Sequence, residues 1–226
     1  MGSHKIRSGF RDSNTNNDTS MYTPKLFQET DRDSLFQFVR DNPFGLLVTT
    51  GNDGIPVATH IPIELLPDAD GQFQLVGHLA KANPQWKLLD QATPALAVFS
   101  GAHGYISSSW YDHVNVPTWN YLAVQITGRT RVLTDDETLA FLRQQVDKHE
   151  AYSKHPVSVD SMTEGYVRKE MRGIVAFTMT IDTLQGTAKL SQNRDDKNYQ
   201  NIISELQQTN NPSAKELANE MAARRP

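Results

Sequence analysis

Five short stretches of the chain gather polar and aromatic side chains at the ends of predicted strands. They are ATHIP (residues 58–62), GHLAKANPQW (77–86), GYISSSWY (104–111), VPTWNY (116–121) and KLSQNR (189–194). A flat cofactor with a phosphate tail needs apolar or aromatic faces for its ring, and a cation, hydroxyls and free N–H groups for its phosphate. Lys81, Thr59, Thr118, Trp119 and Asn120 carry side chains of these kinds. Together they predict a cofactor site, although each stretch taken alone is also typical of a capped turn.

Two of these residues have alternative roles that the sequence leaves open. Lys81 stands just before a predicted short helix that Asn83 caps and Pro84 begins. Its ammonium group can hold a phosphate or can remain a solvated charge. Trp119 can stack on a ring or fill a dimer interface, where tryptophan is enriched.

Other kinds of site find little support in the residue pattern. The chain contains no cysteine, which excludes disulfides and thiolate metal sites. The SSS run lies in an extended segment without a nucleophile elbow, which argues against a serine hydrolase. No metal site is predicted, because the histidines lack ligand spacing. The histidines considered are His60, His78, His103, His113, His149 and His155.

Composition limits the class of partner and the compartment. The chain has 226 residues and a formal net charge of −4, whereas proteins that grip nucleic-acid phosphates usually carry a basic bias. Direct DNA binding is therefore doubtful. No apolar run is long enough to cross a bilayer and no signal peptide is recognisable, so we expect a cytoplasmic protein without membrane contact. Residues 1–20 are polar and lack periodicity, which predicts a vector-derived or disordered leader before a single domain of residues 21–226.

Hydrophobic periodicity divides that domain into strands and helices. Strands are predicted at residues 44–50, 55–66, 73–79, 95–100, 122–133 and 173–184. Helices are predicted at residues 30–40, 134–148, 161–171, 197–207 and 212–223. GNDG at residues 51–54 predicts a hairpin turn, and Thr134 with Glu137 predicts a capping box at the start of the second of these helices.

The order of these elements predicts a mainly β fold. Short turns join the strands, and helices stand at the sides and at the end. This arrangement predicts a closed or nearly closed antiparallel barrel with a helical C-terminal part from about residue 196. Pro56 and Pro62 cannot donate to a strand ladder, so the strand between them is predicted to lie at an edge or rim where its backbone can meet a ligand.

The ordered set of motifs resembles the PaiB family of FMN-binding negative transcriptional regulators. The resemblance rests on MYTPKLF, NPFGLLVT, ATHIPIEL, GHLAKANPQW, FSGAHGYISSSWY, VPTWNY and KLSQNR, which occur in the family's order and cover most of residues 21–194. It implies an FMN-binding split β-barrel of antiparallel Greek-key type with C-terminal helices. It also implies a homodimer that binds FMN near the subunit interface.

Carried over by position, the resemblance assigns candidate flavin contacts to four segments. The second strand would contribute Ala58, Thr59, His60 and Ile61. The phosphate-side segment would contribute His78, Lys81, Asn83 and Trp86. The other candidates are Thr118, Trp119 and Asn120 in VPTWNY, and Ser191 and Gln192 in KLSQNR.

Three functions are compatible with these residues. The first is an FMN-binding regulator of PaiB type that acts without a recognisable DNA-binding motif. The second is a flavin-dependent oxidoreductase or flavin reductase, because bound FMN can accept hydride and His60 could serve as an acid or base. Whether the chain is an enzyme stays open. The third is a direct DNA-binding repressor, which the acidic charge and the lack of a recognition-helix pair disfavour.

Overall fold

The computed structural model describes residues 21–90 and 94–225, which form nine strands and five α-helices. The strands are β1 (Gln28–Glu29), β2 (Phe44–Thr50), β3 (Pro56–Pro67), β4 (Phe73–Ala80), β5 (Ala95–Ile106), β6 (Thr118–Gly128), β7 (Thr130–Val132), β8 (Ile174–Met179) and β9 (Thr183–Lys189). The helices are α1 (Arg32–Asp41), α2 (Asp135–Glu150), α3 (Glu164–Met171), α4 (Asp196–Gln208) and α5 (Pro212–Arg224). The predicted leader at residues 1–20 lies outside the described residues.

The strands pair antiparallel in the order β1-β9-β6-β5-β2-β3-β4-β8-β7. β3 belongs to both halves of this sheet, since its first part pairs with β2 and its second part with β4. β6 and β7 are consecutive in the chain, yet β7 pairs with β8 at the far edge. The sheet therefore curls back on itself, and the predicted split β-barrel is confirmed.

The barrel closes at a tight backbone contact beside Gly128. A Cβ atom at Gly128 would lie 1.8 Å from the carbonyl oxygen of Thr180. Two hydrogen bonds hold this seam: Thr180 N donates to Arg129 O at 3.0 Å, and Arg129 N donates to Thr180 Oγ1 at 2.9 Å. The position requires glycine for steric reasons, because any side chain would overlap a neighbouring backbone.

Two large apolar cores lie on the inner side of the sheet. The first fills the barrel and includes Leu47 and Phe99. The second lies under α4 and α5, which cover the last residues of β5 and the first residues of β6, and it includes Leu217 and Tyr199. The Tyr199 hydroxyl donates to Met221 O at 2.8 Å, which ties the two C-terminal helices together.

Most predicted elements are confirmed within a few residues. Thr134 and Glu137 form the predicted capping box of α2. Asn83 caps the short 3-10 helix Pro84–Leu88, and Asn211 caps α5 in the same way. Among the helices of the described residues, none has the length and apolar character that crossing a membrane requires.

Two predictions about strands were wrong. Residues 173–184 do not form one strand, because the chain turns after Met179 and its two halves join different sides of the sheet as β8 and β9. Residues 122–133 do not form one strand either, because β6 ends at Gly128 and β7 pairs with β8 at the far edge. β6 also begins earlier than predicted, at Thr118, so most of VPTWNY lies inside the strand rather than before it. The pairing of Thr118 with Ile106 extends the ladder beyond the apolar run that periodicity detects.

Candidate functional site

Thr59, Asn83 and Gln85 form a hydrogen-bonded group at one end of the barrel. The Thr59 hydroxyl donates to Gln85 Oε1, and Asn83 Nδ2 donates to Thr59 Oγ1 at 3.0 Å. Asn83 Oδ1 accepts from Gln85 N at 3.0 Å. The fold thus brings together two predicted flavin contacts, one from β3 and one from the segment that follows β4.

Lys81 and Trp86 belong to the same segment as Asn83. The Lys81 ammonium lies 3.8 Å from the centroid of the Trp86 ring, and Trp86 Nε1 donates to Lys81 O at 3.0 Å. No carboxylate within residues 21–90 and 94–225 lies within ion-pair distance of Lys81. A positioned cation without a counter-ion is suited to an anionic ligand such as a phosphate.

The neighbouring residues of β3 alternate between the two faces of the sheet. Ala58 and His60 are exposed on the outer face, whereas Ile61 is buried in the barrel core. His60 stacks on Phe44 of β2, with the ring centroids 5.8 Å apart, and Phe44 is 66% exposed. A planar ligand on the outer face could therefore contact Phe44 and His60, while Ile61 could offer only its backbone.

His78 lies beneath α2. Its ring packs edge-on against Phe141, with 6.2 Å between centroids, and its buried Nδ1 has no hydrogen-bond partner. Burial lowers the pKa of the His78 imidazole below its ordinary value, so the ring is neutral at pH 7. Nearby on β3, the buried Glu64 binds Lys148 and His149 in the last turn of α2, which fastens this helix to the outer face.

The residues of VPTWNY point in different directions. Trp119 is 49% exposed on the outer face and contacts His103 and Tyr105 of β5, at centroid distances of 5.8 and 6.2 Å. Thr118 Oγ1 accepts from Lys189 Nζ at 2.6 Å. Asn120 is 0% exposed and has a packing role beneath the C-terminal helices. Flavin contacts of these three residues stay predictions.

Ser191 and Gln192 form the turn after β9. Ser191 is buried with a φ of 60°, and its hydroxyl accepts from Asn120 Nδ2 at 2.9 Å. Gln192 Oε1 accepts from Leu190 N at 2.7 Å, and its Nε2 donates to Ala188 O. Each side chain therefore has a structural partner, and flavin contacts of Ser191 and Gln192 also stay predictions.

Within one chain, the predicted site residues fall into two separate groups. The first group lies around Thr59, Lys81 and Asn83, and the second lies around Trp119. Thr59 is level with Leu47, Ala97 and Ile126 on successive strands. Trp119 lies seven residues before Ile126 in β6. Strand spacings of ~4.8 Å and rises of ~3.3 Å per residue put Trp119 roughly 20 Å or more from Thr59. One chain therefore does not place Trp119 beside Lys81 and Asn83.

Two concave surfaces of the described residues lie away from these candidates. A cleft of about 680 Å³ is lined by residues of β1, β9, α1 and the turn after β3, among them Arg32, Asp68 and Gln185. A groove of about 370 Å³ separates α2 from α3. Neither of these two concave surfaces contains a predicted flavin contact.

Two comparisons decide the family. Residues 21–183 match the family described as "Putative FMN-binding domain". The chain is also 40% identical over 198 residues to "Protease synthase and sporulation protein PAI 2" of Bacillus subtilis, covering 88% of this chain and 95% of that protein. The chain belongs to the PaiB family. Family membership assigns FMN as the cofactor.

Solved structures support the fold of this PaiB-family chain. The FAD and heme binding protein from Mycobacterium smegmatis aligns with a TM-score of 0.57 at 21% identity, covering 78% of this chain and 79% of that one. The flavocytochrome Anf3 from Azotobacter vinelandii aligns with a TM-score of 0.54 at 18% identity, covering 77% of this chain and 75% of that one. At these identities the likeness shows a shared fold.

The residues of the first group fit FMN. Among the described residues the ammonium of Lys81 lacks a counter-ion, and Asn83 adds a fixed N–H donor. The Phe44–His60 stack offers an aromatic surface on the outer face of β2 and β3. Bound FMN would supply hydride and electron transfer chemistry. Phe44 and Gln85 could not be singled out from the sequence, because an aromatic residue at the start of an apolar strand and a single glutamine carry no signal of a site.

Proposed function

We propose that the chain is an FMN-binding regulatory protein of the PaiB type, which acts as a homodimer in the cytoplasm and without direct DNA recognition. The observation that carries the cofactor part is the Lys81 ammonium, which lies over the Trp86 ring, two residues before Asn83, without a counter-ion among the described residues. The regulatory part rests on the family relationship.

The proposed phosphate contacts are Lys81 and Asn83. Both lie in the segment between β4 and the 3-10 helix Pro84–Leu88, and Lys81 N donates to Gly173 O at 2.7 Å, which anchors the start of this segment. A phosphate at this point would accept from two kinds of donor, an ammonium and an amide. The flavin ring would then extend over the outer face of β3, towards His60 and Phe44.

The outer face of the sheet supports the homodimer. Phe44, Tyr105 and Trp119 are between 49% and 66% exposed on the side that α4 and α5 leave open. Exposed aromatic clusters of this kind mark interaction surfaces. A second copy packed on this face could bring its Trp119 towards the ring that His60 holds, which the distance within one chain prevents. Trp119 would then serve both the ring and the interface.

A titration with FMN tests the cofactor proposal. We expect flavin fluorescence to fall and the visible absorption bands to shift until about one FMN is bound per chain. Size-exclusion chromatography of the same samples should give the mass of a dimer. Flavin spectra that do not change at excess folded protein would overturn the proposal, and so would reconstituted protein that elutes free of flavin.

Replacing Trp119 with alanine is expected to reduce both dimerisation and FMN affinity, because one ring serves both. Loss of a buried interface tryptophan costs about 2 kcal/mol or more, which corresponds to an about 30-fold weaker dimer. Tyr152→Ala is the matched control, since Tyr152 is 95% exposed after the end of α2. A Trp119→Ala protein that keeps its dimer and binds FMN like the parent would contradict this role.

The manner of regulation is tested with nucleic acid and with reduced nicotinamide cofactors. We expect no sequence-specific gel shift at physiological salt, because the charge is acidic and a protein or metabolite partner would carry the effect. A specific shift would instead support a direct repressor. FMN-dependent oxidation of NADH or NADPH that Lys81→Ala abolishes would support an oxidoreductase.

A further inference from the structure

We propose that Gln85 is a positioning residue that fixes the direction of the hydrogen bonds around Thr59 and Asn83, so that this group offers N–H donors and no hydroxyl donor to the FMN phosphate. The inference rests on the proposed FMN binding and adds a specificity element to it. Gln85 itself is only 1% exposed and would not touch the ligand.

The orientation of the Gln85 amide follows from its surroundings. Its Nε2 lies 3.2 Å from Leu47 O, 3.1 Å from Val57 O and 3.2 Å from Thr49 Oγ1. Backbone carbonyls only accept hydrogen bonds, so the nitrogen must face them and the oxygen must face the other way. The reverse orientation would bury an amide oxygen against two carbonyl oxygens, which is costly.

This orientation dictates what Thr59 can do. Gln85 Oε1 faces the Thr59 hydroxyl, and an amide oxygen can only accept, so the single Thr59 hydrogen is committed to Gln85. Thr59 therefore has lone pairs left but no hydrogen. One lone pair accepts from Asn83 Nδ2 at 3.0 Å. On this proposal Thr59 acts indirectly, through Asn83, rather than as a hydroxyl donor to the phosphate.

Asn83 is fixed from both ends by the same residue pair. Its Oδ1 accepts from Gln85 N and its Nδ2 donates to Thr59 Oγ1, so the amide oxygen and nitrogen of Asn83 cannot swap positions. One Nδ2 hydrogen remains for a ligand. Together with the Lys81 ammonium it makes a surface of donors, which suits a phosphate dianion and gives little advantage to the uncharged end of riboflavin.

The test compares FMN with riboflavin, because the two ligands differ only in the phosphate. Gln85→Met keeps the side-chain length but removes the amide, so Thr59 Oγ1 is no longer held in place as the acceptor for Asn83 Nδ2. The bond from the backbone N of residue 85 to Asn83 Oδ1 remains. We expect FMN affinity to fall about tenfold, the effect of losing one hydrogen bond to a charged group, while riboflavin affinity changes less than about twofold. Isothermal titration at a temperature where each variant is fully folded measures both.

A double-mutant cycle separates positioning from general support. Thr59→Val removes the hydroxyl that links Gln85 to Asn83, so Gln85→Met should no longer change the FMN to riboflavin ratio in that background. Thr59→Ser retains the hydroxyl and should keep the parent ratio. If Gln85→Met does not fold, Thr59→Ser and Thr59→Val still test the hydrogen bonds that connect Gln85 to Asn83 through Thr59.

The outcomes distinguish this inference from the function on which it rests. Equal losses of FMN and riboflavin affinity in Gln85→Met would mean that Gln85 merely supports the barrel end, and the positioning role would be wrong. The positioning role would also be wrong if Gln85→Met and Thr59→Val had additive effects on the ratio of FMN affinity to riboflavin affinity. It would equally be wrong if Thr59→Val kept the ratio of the parent protein. Failure of the parent protein to bind FMN would overturn the proposed function itself.

Discussion

Lys81→Ala is expected to weaken FMN binding by about 10- to 100-fold and to leave riboflavin binding within about twofold of the parent protein. Hydrogen bonds to charged groups contribute about 1.5–3 kcal/mol, which corresponds to this range of affinity. The Lys81 ammonium is fixed on the Trp86 ring and has no counter-ion among the described residues, so its charge is available to a phosphate. Riboflavin lacks the phosphate and should not sense the change. Fluorescence titration measures both affinities.

The control for Lys81→Ala removes the same charge from the same segment. Lys87 lies in the 3-10 helix Pro84–Leu88 and is exposed. Lys87→Ala should change FMN affinity less than about threefold, which is the scale of exposed charge effects. Raising the salt concentration should weaken FMN binding to the parent more than to Lys81→Ala, because screening acts on the contact that the variant lacks. Equal losses in both lysine variants would assign the effect to net charge.

Gly128→Ala is expected to destabilise the fold by about 3–5 kcal/mol, one of the largest effects available to a single methyl group in this chain. The added Cβ would lie 1.8 Å from Thr180 O and 2.7 Å from Thr180 C. A backbone carbonyl cannot rotate away as a flexible side chain can, so the seam between β6 and β8 would have to open. Urea unfolding followed by circular dichroism measures the free energy of unfolding.

Gly165→Ala is the matched control for Gly128→Ala. Gly165 lies in α3, where a Cβ atom would meet nothing within 4 Å. Alanine is favoured over glycine in a helix by about 1 kcal/mol, so this variant should be as stable as the parent or slightly more so. If Gly128→Ala unfolds at the same urea concentration as the parent, the close contact does not constrain the barrel.

Local signals in the sequence predicted the elements well. The capping box of Thr134 and Glu137 and the two Asn-Pro caps each depend on neighbouring residues, so a single sequence contains the whole signal. The β2–β3 hairpin was predicted for the same reason. The turn after Met179 was missed because the residues on either side are equally compatible with an extended strand, and only the barrel seam at Gly128 requires the break.

The candidate site was less predictable than the fold. The sequence predicted Lys81, Asn83 and Thr59 as flavin contacts, and these contacts stay predictions. It could not show that Thr59 donates its only hydroxyl hydrogen to Gln85, because this depends on where two carbonyls of other strands point. It grouped Asn120 with Trp119, although adjacent residues of a strand face opposite sides and Asn120 is buried. Motifs that are close in sequence or in family order need not be close in space.

The sharing of β5 and β6 between the two cores has a consequence for how the molecule opens. Val124 and Ile126 of β6 pack in the barrel, while Leu122 of the same strand packs under α4 and α5. Two apolar cores that share one continuous strand cannot unfold independently, because loss of the packing under α4 and α5 also exposes the ends of the barrel strands. Amide hydrogens of β6 should therefore exchange with solvent only through global unfolding, with equal protection at both of its ends.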